Sequence, residues 1–154
     1  MTGDAAGPHI VHVNAVEWQE VKAQQRGAQR VSVWERYLHW SPELLVIHAR
    51  YDAGMLIERH AHKSNHLVFV LEGSIDVGGA ACGPGTSIVL LEGDVFGPIE
   101  AGPEGALLLE VMTGDPRAVP ADREGFARLL AERGVEPLPN PPVSLPDWLG
   151  DRTD

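Results

Sequence analysis

Residues 54–73, GMLIERHAHKSNHLVFVLEG, constrain the fold of this chain more than any other stretch. They combine three closely spaced histidines with a run of apolar and β-branched residues, and a glycine stands at each end. Side chains alternate between the two faces of a β-strand, so His60, His62 and His66 would share one face. The pattern therefore predicts a strand that presents three imidazoles to one side.

Three converging imidazoles indicate a metal site. Neutral imidazole nitrogens bind Zn, Fe, Ni and Cu ions, and three of them leave coordination positions open for water or substrate. Two structural alternatives are a strand edge with merely solvated histidines, and a helix surface on which His62 and His66 form an i, i+4 pair. The apolar run at residues 67–71, closed by Gly73, favours a buried strand over a helix. We expect His60, His62 and His66 to bind one divalent metal ion per chain.

The same stretch resembles the first motif of the cupin family. Gly54, five residues, His60 and His62, three residues, His66, six residues and Gly73 reproduce that motif, with His66 where the family usually has Glu.

A second, weaker match follows between Gly85 and Glu100. Here Leu91 replaces the usual Pro, Phe96 the usual metal-binding His, and Glu100 the usual Asn. The resemblance covers about residues 30–113 and implies an all-β, double-stranded β-helix barrel of the jelly-roll type with a metal in its mouth.

The resemblance also implies a function. Among cupins whose iron is held by histidines alone, dioxygenases acting on small thiols, diketones or aromatic rings are the nearest likeness. We therefore expect a metal-dependent oxidoreductase, with Fe(II) favoured, that oxidises a small organic substrate. A redox-silent lyase, isomerase or hydrolase using Zn, Ni or Mn is an alternative, as is a non-catalytic barrel that binds a small molecule.

Four further residues are candidates for the site. Glu58 and Glu100 are the nearest carboxylates that could orient a ligand or act as a general base, although each could equally be a solvated loop residue. Phe96 is expected to form a pocket wall where a fourth ligand is missing. His48 could line the barrel, or it could be a structural residue that hydrogen-bonds locally.

The remaining sequence predicts one domain over residues 1–154, with a barrel core at 30–113 and a helix and wrapping tail at 114–154. Short strands separated by Gly and Pro are typical of a barrel. Residues 17–25 are predicted to form one or two helical turns. A second helix is predicted between a cap at Asp122 and Gly134. The proline-rich segment that follows is expected to lie extended on the barrel or on a second subunit.

Composition limits the partners. Twelve basic against 22 acidic residues give a net charge of −10, which argues against nucleic acid, since binding to phosphates needs a basic face. No stretch reaches the ~20 apolar residues of a membrane span, and the N-terminus does not resemble a signal peptide. The lone Cys82 favours a reducing compartment, so we expect a cytoplasmic protein. The apolar tail and the Trp-rich strand near Trp34 predict a homodimer.

Overall fold

The computed structural model describes residues 7–149 and shows an antiparallel all-β barrel followed by a helix. Nine strands form one sheet in the order β11-β1-β2-β3-β9-β6-β7, with β4 paired to β9 and β8 paired to β6, while β10 and β5 pair with each other. The strands are β1 Gln19–Arg26, β2 Gln29–Trp40, β3 Leu45–Tyr51, β4 Leu56–Ile57, β5 His60–Lys63, β6 His66–Val77, β7 Ala80–Cys82, β8 Ser87–Leu90, β9 Ile99–Met112, β10 Asp115–Pro120 and β11 Val135–Pro137. The barrel architecture predicted from the sequence is confirmed.

Strands β6 and β9 pair along their whole length and hold the barrel together. The ladder runs from His66 opposite Met112 to Val77 opposite Ile99, with register shifts between residues 70 and 75. Gly73 lies in this irregular region with φ of +70°, and a Cβ there would collide with the carbonyl oxygen of Gly105. The last glycine of the histidine stretch is therefore required by the close approach of two backbones.

The prediction of helical turns at residues 17–25 is wrong, because these residues form β1. Val21 is buried in the barrel core, and Ala23 and Gln24 are buried as well. The Gln24 side chain donates to the Leu56 carbonyl at 2.7 Å and accepts from the Leu56 amide at 3.1 Å. The Gln24 side chain thus binds the edge of β4 that no strand within residues 7–149 pairs with, a contact that can be recognised only in three dimensions.

The predicted helix is present as α1, Arg123–Arg133. Asp122 caps it by accepting from the Gly125 amide at 2.9 Å, and Gly134 ends it in the left-handed conformation with φ of +65°. In residues 7–149 no helix is long and apolar enough to cross a membrane. Strands β1, β10 and β11 lie outside residues 30–113, so the sheets extend beyond the barrel core assigned from the sequence.

The proline-rich tail lies on the barrel of its own chain as far as the structure describes it. Val143 packs against the main core, and the Ser144 amide donates to Gln19 Oε1 at 2.8 Å. Trp148 meets Trp40 edge-on, with ring centroids 6.2 Å apart. The part of the predicted tail at residues 150–154 lies outside the described residues.

The outer face of β9, β6 and β8 is apolar. We call it the outer apolar face; it comprises Leu107, Leu109, Val111, Leu67, Phe69, Leu71 and Val89. Register places Val111 beside Leu67 and Leu67 beside Val89, so these side chains form continuous rows across three strands. Leu71 is 40% exposed and Val89 is 68% exposed. Strands that are apolar on both faces are typical of sheets covered on both sides.

Candidate metal centre

The three histidines lie in the wall of one cavity inside the barrel, with a volume of about 370 Å³. Its walls are mainly apolar and aromatic side chains, among them Val33, Tyr37, Trp40, Leu45, Tyr51 and Leu108. Leu145 and Leu149 of the tail also line it. A mostly apolar pocket with a few converging polar groups is the usual form of a small-molecule site.

Strand β5 fixes the orientation of His60 and His62. His60 Nδ1 donates to the carbonyl of Glu58 at 2.7 Å, and His62 Nδ1 donates to the carbonyl of Pro116 at 2.9 Å. A carbonyl oxygen only accepts hydrogen bonds, so each Nδ1 carries a proton and each neutral ring has its lone pair on Nε2. Glu58 thus orients a ring, but through its main chain rather than through the carboxylate suggested by the sequence.

Both rings are neutral at physiological pH. Burial lowers the pKa of His62 to about 4, and the neighbouring His66 and His60 act in the same direction. Burial also lowers the pKa of His60, helped by His66 and Lys22 and opposed chiefly by the hydrogen bond to the Glu58 carbonyl. Neutral imidazole is the form that binds metal ions.

The two Nε2 atoms of His60 and His62 face each other at 3.1 Å. Neither has a proton to donate to the other, so the contact sets two lone pairs against each other. Two nitrogen ligands about 2.1 Å from one ion and at right angles lie about 3 Å apart. The pair therefore has the spacing of two neighbouring ligands of a single metal ion.

His66, on β6, approaches a fourth polar side chain that the sequence analysis did not select, Glu110 on β9. His66 Nε2 lies 3.1 Å from Glu110 Oε1, and both residues are buried. An ionised carboxylate only accepts hydrogen bonds, so this contact places a proton on His66 Nε2, while His66 Nδ1 is buried without a hydrogen-bond partner. His66 would bind a metal ion through Nε2 only if that proton moved to Nδ1 and the ion replaced the hydrogen bond to Glu110.

The four side chains make two close contacts, His60 with His62 and His66 with Glu110, and do not yet surround a single point. Ring centroids are 4.8 Å apart for His60 and His62, and 4.9 Å apart for His62 and His66. Over residues 7–149, no three His, Cys, Asp or Glu side chains already stand in a metal-binding arrangement. The donor types and the facing lone pairs fit a divalent ion, whose binding would draw the two pairs together.

Glu110 could have been found from the sequence. It is the only charged residue in the strand segment ALLLEVM, and a charge inside an apolar strand needs a partner when it is buried. Its presence changes the expected ligand set from three neutral histidines to histidines with a carboxyl group. The charge of a bound ion would then be partly neutralised.

Phe96 lies in the cavity wall against the histidines. Its amide donates to the His60 carbonyl and its carbonyl accepts from the His60 amide, both at 3.0 Å, so the two residues are directly opposed. The Phe96 ring centroid is 4.7 Å from that of His60 and 5.9 Å from that of His66. Phe96 therefore occupies space beside the polar donors without supplying one.

The structure does not bring Glu100 or His48 to the cavity, so both predictions are corrected. Glu100 accepts from Arg133 Nε at 2.9 Å, away from the cavity. His48 points to the outer face of β3, where its Nδ1 accepts from Arg36 Nε at 3.1 Å and its ring packs on Trp18. Because side chains alternate along β3, Ile47 lines the cavity and His48 does not.

Tyr51 is a further polar group of the cavity wall. Burial raises the pKa of Tyr51 well above its ordinary value, and the charges of Glu110 and Glu35 raise it further. The phenol therefore keeps its proton and can donate a hydrogen bond into the cavity.

Comparisons with known proteins identify the fold. The structure resembles a candidate acetylacetone dioxygenase from Methylibium petroleiphilum PM1, with a TM-score of 0.63, 14% identity and coverage of 91% of this chain and 92% of that one. It also resembles the polyketide cyclase RemF from Streptomyces resistomycificus, with a TM-score of 0.58, 20% identity and coverage of 73% and 84%.

An RmlC-like cupin from Shewanella frigidimarina NCIMB 400 has a TM-score of 0.56, 21% identity and coverage of 78% and 96%. No family model and no curated protein matches the sequence. At these identities the likeness concerns the fold, and the chain has the double-stranded β-helix fold of the cupins.

Proposed function

We propose that this protein, a chain with the cupin fold, is a mononuclear metal-dependent enzyme that oxidises a small organic substrate with dioxygen. The observation that carries the proposal is the pair of neutral Nε2 atoms of His60 and His62, which face each other at 3.1 Å at the cavity wall. His60, His62, His66 and Glu110 would hold one divalent ion.

The donor set favours iron(II). Imidazoles together with a carboxyl group, with positions left open, form the ligand combination typical of non-haem Fe(II) oxygenases. When bound, such an ion would supply one-electron chemistry with dioxygen beside the substrate. Phe96, next to the donors, adds no protein ligand, so coordination positions of the ion would stay open.

The chain itself would bind and orient the substrate. The apolar wall around Val33, Leu45 and Leu108 excludes water from the body of the substrate. Tyr51 keeps its proton because of burial and the charge of Glu110, so it can donate to a substrate oxygen. The hydrogen bonds of His60 and His62 to main-chain carbonyls fix their tautomers in the form that binds metal.

Oxygen uptake tests this function. Metal-free protein is reconstituted anaerobically with Fe(II) or with Zn(II), and an oxygen electrode records uptake with a panel of thiols, diketones, phenols and aromatic acids. We expect substrate-dependent uptake with Fe(II), none with Zn(II), and none with the Fe(II)-treated His62→Ala variant. Turnover that is equal without oxygen, or equal with zinc, would instead assign the site to a lyase, isomerase or hydrolase.

A further inference from the structure

A β-bulge in β1 turns one lysine towards the cavity. Register pairs Glu20 with Trp34 and Lys22 with Val33, so Val21 is an extra residue between them. In a regular strand Glu20 and Lys22 would share a face; here Glu20 lies on the outer face, where it binds Arg30 at 2.9 Å. Lys22 lies on the same side as Val33, which lines the cavity.

Lys22 brings a positive charge close to the histidines and makes no ion pair among the described residues. It lines the cavity, is half-buried, and stands near enough to His60 to help lower the pKa of that ring. Within residues 7–149 its ammonium group makes no hydrogen bond and no ion pair. A half-buried ammonium without a partner loses solvation that an anionic ligand would restore.

The other cations of the cavity are less suited to this role. Arg117 is held by Asp115 through contacts of 2.6 to 3.1 Å, so its charge is already matched. Arg123 is exposed at the first turn of α1 and lies at the edge of the cavity. Lys22 is the inward cation whose charge remains available.

The acidic residues of the cavity limit the ligand to one anionic end. Glu35, Glu58 and Glu110 also line the cavity, and a second negative group near them would be repelled. The remaining wall is largely apolar. The shape and charge of the cavity therefore suit a molecule with one carboxylate and an apolar body.

We infer that Lys22 is the specificity-determining residue of this cavity and that the substrate is a small organic monocarboxylate with an apolar body. That the monocarboxylate is a substrate, and not only a ligand, rests on the proposed function. Anion binding at Lys22 is itself independent of the metal, because the ammonium group is part of the protein.

The test uses metal-free protein and isothermal titration with benzoate, phenylacetate and hexanoate, each compared with its uncharged amide. We expect at least one acid to bind about tenfold or more tightly than its amide, since a hydrogen bond between two charged groups is stronger than one to a neutral amide. Lys22→Met should abolish this preference and Lys22→Arg should retain most of it. Lys63→Met removes the same charge from an exposed site and should leave the preference unchanged.

The inference is overturned if no acid binds more tightly than its amide, or if the preference survives in Lys22→Met. Because these titrations need no metal and no turnover, their result is separate from oxygen uptake. If the protein binds acids more tightly than amides but takes up no oxygen, only the proposed function is refuted. If it takes up oxygen but does not prefer acids, only the role of Lys22 is refuted.

Discussion

The Nε2 atoms of His60 and His62 lie 3.1 Å apart, and both rings use Nδ1 to bind main-chain carbonyls. The Nε2 lone pairs of the two rings therefore repel each other in the buried wall of the cavity. A cation between them would relieve the repulsion, and such an arrangement is common where a protein prepares ligands for a metal. This repulsion is a physical reason to expect a metal ion here, and the spacing of the histidines in the sequence does not provide it.

Replacing Phe96 with histidine should tighten metal binding. The ring at this position lies beside His60, so Phe96→His adds a nitrogen donor to a site with open positions. We expect a several-fold gain in Zn(II) affinity, measured by competition with a chelator. Phe96→Leu controls for the loss of packing and should show no gain. Unchanged affinity, in a Phe96→His variant whose crystal structure shows the new imidazole in the cavity, would contradict the proposed position of the ion.

Replacing Glu110 with glutamine should weaken metal binding. The amide is nearly isosteric and can keep a hydrogen bond to His66, but it lacks the negative charge. We expect a loss of about tenfold or more in affinity, in the range found for groups that support metal ligands. Glu72→Gln, at an exposed position outside the cavity, is the matched control. Equal affinity of wild type and Glu110→Gln would remove Glu110 from the site.

Stability should fall in acid partly because of His48. Burial lowers its pKa, the charge of Arg36 lowers it further, and Glu72 opposes them; Trp18 packs on the ring. A lowered folded-state pKa means that the unfolded chain binds the proton first. The contribution of His48 is therefore complete above the unfolded value of about 6.5 and is lost as the pH falls below it.

Urea unfolding of wild type and His48→Gln between pH 7.5 and 5 checks this effect. The wild type should lose more stability than the variant over this interval. Parallel losses in the two proteins would show that His48 does not contribute.

We propose that the protein is a homodimer that buries the outer apolar face. The tail and the Trp-rich strand, which suggested a dimer from the sequence, pack against each other within one chain. On the outer apolar face, Leu107 lies between Arg50 of β3 and Glu72 of β6. A two-fold axis over β9 and parallel to it would place Arg50 opposite Glu72 of the partner subunit, so the face is complementary to a second copy.

Light scattering tests the dimer against the monomer mass of 16.6 kDa. We expect about twice that mass for the wild type at micromolar concentration and a shift towards monomer for Val89→Glu. Val119→Glu, at an exposed apolar residue of β10, should remain dimeric. A monomeric wild type, or equal behaviour of the two variants, would rule out this interface.

Much of the fold could be predicted from the sequence because local patterns agree with the tertiary structure. The alternation of His60 and His62 with small or polar neighbours is a property of β5 itself, although His66 begins a separate strand, β6, instead of continuing the single strand predicted from the sequence. The helix is similarly marked by its own caps, Asp122 and Gly134. Such features need no knowledge of distant residues.

What could not be predicted depends on partners far away in the chain. Gln24 belongs to a strand because β1 pairs with β2 and β11, and its side-chain amide can be buried because it binds the backbone of Leu56, 32 residues away. Glu110 reaches the site because β9 pairs with β6, which carries His66. Lys22 faces the cavity because of a bulge that becomes visible only when β1 is paired with β2. In each case register, rather than composition, decides the role of the residue.

The most direct test of the metal site is the metal content of the purified protein after reconstitution with Fe(II) or Zn(II) and removal of unbound ion. Mass spectrometric analysis should find about one ion per chain in the wild type. His60→Ala, His62→Ala and His66→Ala should each lose most of it, whereas His48→Ala, which removes a buried histidine outside the cavity, should keep it. The same metal content in all four variants, or no bound ion in the wild type, would contradict the account.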